Sequence, residues 1–173
     1  MRKVLVVVDM QNDFIDGALG TPEAEAIVEA VKHKIWQYPP ENVYATRDTH
    51  GPDYLSTQEG RRLPVEHCIA GTPGHEIRPD IAVLLREDQV FDKPTFGSTE
   101  LAEFLRAENE KEELVIEVIG LCTDICVVSN ALLLKAYMPE VTIHVDAACC
   151  AGVTPESHEA ALQTMRSCQI VVK

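Results

Sequence analysis

At 173 residues the chain is long enough for one domain with a substantial core, and its 46% hydrophobic and 25% charged residues are ordinary for a globular protein. A formal net charge of -13 argues against nucleic acid and against an anionic membrane surface as partners. No apolar run approaches transmembrane length, and Met1-Arg2-Lys3-Val4 leads straight into an apolar run rather than a signal segment, so a cytoplasmic location and free cysteines are expected.

Val4 to Val8 predicts a continuous buried strand ending on Asp9. A loop through Gly17 and Gly20 follows. Thr21-Pro22-Glu23 then reads as an N-cap with proline at the first helical position, opening a helix to about Trp36 with Ile27, Val31 and Ile35 on one stripe. Tyr38-Pro39-Pro40 stops it, and Asn42 to Arg47 is a second strand. From Asp48 to about Gly74 the chain has little periodicity. So long a loop in a compact domain is usually functional or disordered, and this one carries Asp48, His50, His67 and Cys68, which favours function. Pro79 to Leu85 is a short helix or turn. Gln89 to Asp92 is a third strand, ending at Lys93-Pro94. Ser98 or Thr99 caps a helix through Leu105, and the charged stretch from Arg106 to Glu113 reads as a solvated turn.

Leu114 to Ile119 is a fourth strand, broken by Gly120. Thr123 and Asp124 are N-cap residue types, and Ala131 to Ala136 favours helix as far as Met138-Pro139. Val141 to Val145 is a fifth strand ending on Asp146. Thr154 caps a helix to about Arg166, and Gln169 to Val172 is a sixth strand. Strands alternating with helices at this spacing predict an α/β fold: a parallel sheet covered on both faces, with right-handed crossovers.

The fourth strand and the helix after it place Cys126 in a first helical turn at a strand's carboxyl end. Unpaired N–H groups there carry partial positive charge, so a thiolate is stabilised, its pKa is lowered, and the same groups can receive an oxyanion. The plainer alternative is a small buried cysteine. Asp9 and Lys93 share the same address, and ligands of open α/β sheets bind outside the carboxyl ends of strands. An aspartate can accept the thiol proton and a lysine can steady both charges; against this, the three residues are unrelated and Lys93 lies on the surface. Asp48-Thr49-His50 offers two ligands from an extended segment, and His67 completes a mixed N/O set suited to zinc, iron or manganese, although D-x-H is short enough to arise by chance.

Together these residues resemble the isochorismatase-like cysteine hydrolases, and within them the nicotinamidases. Val7-Val8-Asp9-Met10-Gln11-Asn12-Asp13-Phe14 resembles the opening motif. Thr46-Arg47-Asp48-Thr49-His50, His67-Cys68 and Gly71-Thr72-Pro73-Gly74 resemble the metal-binding segments and the loop after them. Lys93 falls at the catalytic lysine, and Gly120-Leu121-Cys122-Thr123-Asp124-Ile125-Cys126-Val127 at the nucleophile motif. The resemblance implies a six-stranded sheet of order 3-2-1-4-5-6 in a three-layer α/β/α domain spanning residues 1–173, and a non-proline cis peptide just before Cys122. It implies Asp9, Lys93 and Cys126 as catalytic residues and the N–H groups of Cys122 and Cys126 as the oxyanion hole. Asp48, His50 and His67 hold a divalent metal, zinc first, and Phe14 lies in the substrate pocket. A homo-oligomer is also implied.

Two positions depart from the pattern. Leu63-Pro64-Val65-Glu66-His67-Cys68 lacks the tryptophan of the W-P-x-H-C pattern and is one residue longer, and Ser56 stands where some relatives carry a further metal histidine. The activity implied is release of ammonia from a small primary amide, nicotinamide before others, through a thioester on Cys126. The alternatives are a relative acting on another amide, a carbamate or an isochorismate-type vinyl ether, and a non-catalytic metal-binding or redox protein using Cys122 and Cys126.

Overall fold

The structure is a computed structural model describing residues 1–173. The opening apolar run forms β1 (Arg2–Val8), followed by α1 (Asn12–Ile15), α2 (Pro22–Ala26) and α3 (Val28–Ile35). Then come β2 (Val43–Asp48), α4 (Gln58–Arg62), α5 (Pro79–Ala82), β3 (Val90–Lys93) and α6 (Thr99–Lys111). The second half runs β4 (Leu114–Leu121), α7 (Val128–Tyr137), β5 (Thr142–Ala151), α8 (Pro155–Ser167) and β6 (Val171–Val172). The strands form one parallel sheet of order β3-β2-β1-β4-β5-β6, as expected, between helical layers. No helix is long and apolar enough to cross a membrane.

β1 is central because it is apolar throughout. Val4 to Val8 are all buried, and the core spreads from them into β4 and the helices on either face. Register then decides what meets at the carboxyl edge. Val8 pairs with Thr46 on one side and Gly120 on the other, and Asp48 pairs with Lys93. Asp9, Thr46, Asp48, Lys93 and the turn after Gly120 are thereby brought to one rim. Gly120 has φ +115, and an added Cβ would lie 2.2 Å from the Val8 carbonyl oxygen, so this close strand pairing requires glycine. The Leu121–Cys122 peptide is cis, the bond the resemblance implied.

Four elements differ from their sequence expectation. The helix from Thr21 divides at Ile27, although Ile27, Val31 and Ile35 are all buried as their stripe predicts. The charged stretch after Leu105 is not a turn: α6 continues to Lys111. Glu, Arg and Lys are good helix formers, and ion pairs Arg106–Glu110 and Lys111–Glu108 lie at helical spacing, with Arg2 reaching Glu108 from β1. β5 does not stop at Val145. A register irregularity opposite Val118–Gly120 carries it through Asp146 to pair Cys150 with Gly120. Finally, neither Thr123 nor Asp124 caps a helix on itself. Residues Thr123–Val127 form a π-helical turn entered from Cys122, and both side chains point away to α8 and its approach: Thr123 Oγ1 lies 2.8 Å from His158 Nδ1, and Asp124 accepts from the Val153 N–H at 3.0 Å.

Candidate active site

Lys93 is the hub of the rim. It is 1% exposed, and its Nζ lies 2.8 Å from Asp9 Oδ2, 3.1 Å from Asp48 Oδ1 and 3.4 Å from Cys126 Sγ, while donating to the Thr95 carbonyl at 3.0 Å. The strand-end placement of Asp9, Lys93 and Cys126 thus becomes a contact network. Asp9 sits on a left-handed residue, φ 49, directly after β1. Its Oδ1 accepts from Thr46 Oγ1 at 2.7 Å, and its Oδ2 faces the Lys93 ammonium at 2.8 Å. The Cys122 N–H makes no backbone hydrogen bond, so it is a free donor beside the Cys126 turn.

Charge in this buried cluster departs from the sequence expectation. The Cys126 pKa is raised, not lowered: burial and the Asp9 carboxylate outweigh the Lys93 ammonium. Burial also raises Asp9, against the pull of Lys93. Burial works against the Lys93 ammonium, but the charges of Asp9 and Asp48 hold its pKa above that of an ordinary lysine. Asp48 is likewise penalised by burial, yet His50 and Lys93 hold its pKa below the usual carboxylate value.

The other oxygen of Asp48 faces a second cluster. His50 Nε2 is 2.9 Å from Asp48 Oδ2 and 3.7 Å from Glu59 Oε1; His67 Nε2 lies 3.7 Å and 3.8 Å from the same two oxygens. Ligand atoms about 2.0–2.2 Å from one tetrahedral ion stand about 3.3–3.6 Å apart, so these residues fit a single divalent metal of the zinc type. His67 Nδ1 faces the Val65 carbonyl at 2.8 Å, which turns Nε2 toward the cluster. Asp48, His50 and His67 were expected from the sequence. Glu59 was not, because it comes from the first turn of α4, nine positions after His50, where no short motif points to it. Ser56, three residues earlier, is not in the cluster. Gln11 pins Asp48 by backbone pairing on both sides: Nε2 donates to the Asp48 carbonyl at 2.8 Å and Oε1 accepts from its N–H at 2.7 Å.

The family model described as the isochorismatase domain matches residues 3–173. The chain belongs to the isochorismatase family. It is 28% identical over 185 residues to a nicotinamidase/pyrazinamidase of Mycobacterium tuberculosis, covering 97% of this chain and 96% of that protein. It resembles the structure of a pyrazinamidase of Pyrococcus horikoshii in complex with zinc, with TM-score 0.81, 31% identity and coverage of 99% and 98% of the two chains. An N-carbamoylsarcosine amidase of Thermoplasma acidophilum superposes with TM-score 0.78 at 27% identity, covering 100% and 96%.

In this isochorismatase-family chain both clusters border one slot of 50 Å³, lined by apolar Phe14, Leu19, Leu63, Phe96 and Ile125 together with Cys122 and Cys126. Phe14, the pocket residue expected from the sequence, packs on His67 with ring centroids 5.6 Å apart. No tryptophan reaches the slot. Phe96 and Leu63 reach it instead, from the loop after β3 and the end of α4; Leu63 stands directly before Pro64, where the W-P-x-H-C pattern has its tryptophan, and Phe96 lies in no motif and was missed from the sequence.

Proposed function

We propose that the protein is a cysteine amidohydrolase that converts a small neutral amide, with nicotinamide the leading candidate, to the acid and ammonia. The observation carrying this reading is the Lys93 ammonium within 2.8 Å of Asp9 and 3.4 Å of Cys126, beside a slot that also borders the Asp48, His50, Glu59 and His67 cluster. The nicotinamidase and pyrazinamidase names of its relatives support it.

Asp9 takes the thiol proton as Cys126 attacks the amide carbon. The oxyanion rests on the N–H groups of Cys122 and Cys126. Asp9 returns the proton to the departing nitrogen, so ammonia leaves and a thioester remains. Water then attacks the thioester with its proton passing to Asp9 and on to the sulfur, which restores the thiol. Lys93 holds the shifting negative charge throughout. Asp48, His50, Glu59 and His67 would hold zinc, which supplies Lewis acidity beside the substrate when bound.

A second reading, suggested by the carbamoylsarcosine amidase neighbour, is a carboxylate-bearing substrate. The slot favours the neutral one. Asp48 and Glu59 border it, and no arginine or lysine lines it to receive a carboxylate. A homo-oligomeric cytoplasmic enzyme belongs to the same proposal, and light scattering tests its assembly. Ammonia release across nicotinamide, pyrazinamide and N-carbamoyl amino acids decides the substrate. Cys126→Ala must abolish release with a fold unchanged by circular dichroism; undiminished release from that variant refutes the mechanism.

A further inference from the structure

The turn that carries Cys126 is held at its two ends by different elements. At the exit, Asn130 on α7 is 1% exposed; its Nδ2 donates to the Cys126 carbonyl at 2.8 Å and to the Phe96 carbonyl at 3.1 Å. At the entry, Thr123 follows Cys122 directly and is fully buried. Its Oγ1 lies 2.8 Å from Nδ1 of His158, in the first turn of α8. The next residue repeats the tie, with Asp124 Oδ1 accepting from the Val153 N–H at 3.0 Å. The anchor on α8 is itself fixed. Thr154 and Ser157 form a reciprocal capping box there. A Cβ added to Gly152 would lie 2.9 Å from the His158 nitrogen, so glycine lets the chain leaving β5 pass this close to the helix. His158 does not line the slot; it walls a separate groove of 270 Å³ with Glu23, Cys150 and Thr154. Its ring therefore reaches the site only through Thr123. The two N–H groups assigned to the oxyanion belong to Cys122, at the entry of this π-turn, and to Cys126, within it. A π-turn is a rare conformation, and a shift of its entry changes the spacing of those two donors. A buried hydroxyl stripped of its partner is costly, so removal of the ring drives the turn to such a shift.

We propose that His158 is a positioning residue for the oxyanion hole, holding the Cys122 and Cys126 N–H groups in place through the Thr123 hydroxyl. The proposal rests on the amidase reading and adds to it a residue outside the slot. Oxyanion contacts form in the transition state, so their misplacement lowers kcat and spares KM. The test measures ammonia release from the amide that the wild type turns over fastest, in His158→Ala, His158→Asn, Thr123→Val and the double variant Thr123→Val/His158→Ala. Hydrogen exchange read by mass spectrometry accompanies each. His158→Ala and the shape-conserving Thr123→Val are each expected to lower kcat about tenfold, with KM within about twofold of wild type. The double variant is expected to match either single one, because both remove the same bond. His158→Asn, whose amide can take the place of Nδ1, is expected to regain most of the lost kcat. Exchange should quicken in the peptide covering residues 122–127 and stay unchanged in β1. An unchanged kcat in both single variants, a loss carried by KM, or losses that multiply in the double variant overturns the proposal. If the wild type hydrolyses no amide, the amidase reading fails and exchange alone decides the tie. Faster exchange at residues 122–127 in His158→Ala and Thr123→Val supports it, and wild-type exchange there refutes it.

Discussion

Cys126 departs from the usual picture of an activated cysteine. A cysteine at a helix end is expected to rest as a thiolate, but Cys126 is buried against a carboxylate and its pKa is pushed up. In the proposed mechanism activation falls to Asp9, whose carboxylate, 2.8 Å from the Lys93 ammonium, must be ionised to accept the proton. Burial raises the Asp9 pKa. The acidic limb of kcat/KM should accordingly lie above the about 3.9 of an ordinary aspartate, with activity lost as pH falls through it; a limb at or below that value contradicts the assignment. Glu59 is the other residue with a distinct role. Its carboxylate borders the cluster from α4, so Glu59→Ala should weaken zinc binding about 10–100-fold in a chelator competition, whereas Ser56→Ala should leave it unchanged. The triad and three of the cluster residues were legible in the sequence because strand ends and short motifs mark them. Glu59, Phe96 and Asn130 were not, since each reaches the site from a separate loop or helix by tertiary packing alone.

Among the elements, β4 with the turn after it carries the most constraint. Gly120 allows β4 to press against β1 at φ +115, and Gly120→Ala would drive a Cβ to 2.2 Å from the Val8 carbonyl. Denaturant unfolding should show a loss of roughly 2–4 kcal/mol, together with reduced turnover, because β4 leads directly into the turn that carries Cys126. A stability within about 0.5 kcal/mol of wild type contradicts this. Strand identity was readable from apolar runs, and helix starts from Thr21, Ser98 and Thr154, whose side chains do cap their helices. Element ends were read less well. α6 outruns its apolar stripe because charged residues extend a helix through ion pairs, and β5 outruns Val145 because pairing to Gly120, not local composition, holds its second half.

At the scale of the whole molecule, one sheet separates two different ends. A cleft of 730 Å³ opens at the amino ends of β1 and β4, where Lys34 and Lys173 are already paired with Glu117. The carboxyl ends hold the small slot in which an acid, an ammonium and a thiol converge. Strand order 3-2-1-4-5-6 brings residues from opposite halves of the chain to that edge, and the alternation of elements with the family resemblance made this arrangement visible before any coordinates. The central claim is that Cys126 becomes acylated there. Protein quenched during turnover of nicotinamide and examined by mass spectrometry should carry a nicotinoyl group on the peptide containing Cys126, with none in Cys126→Ala. Continuing ammonia release with no adduct on that peptide, in a variant made slow enough to trap one, would contradict it.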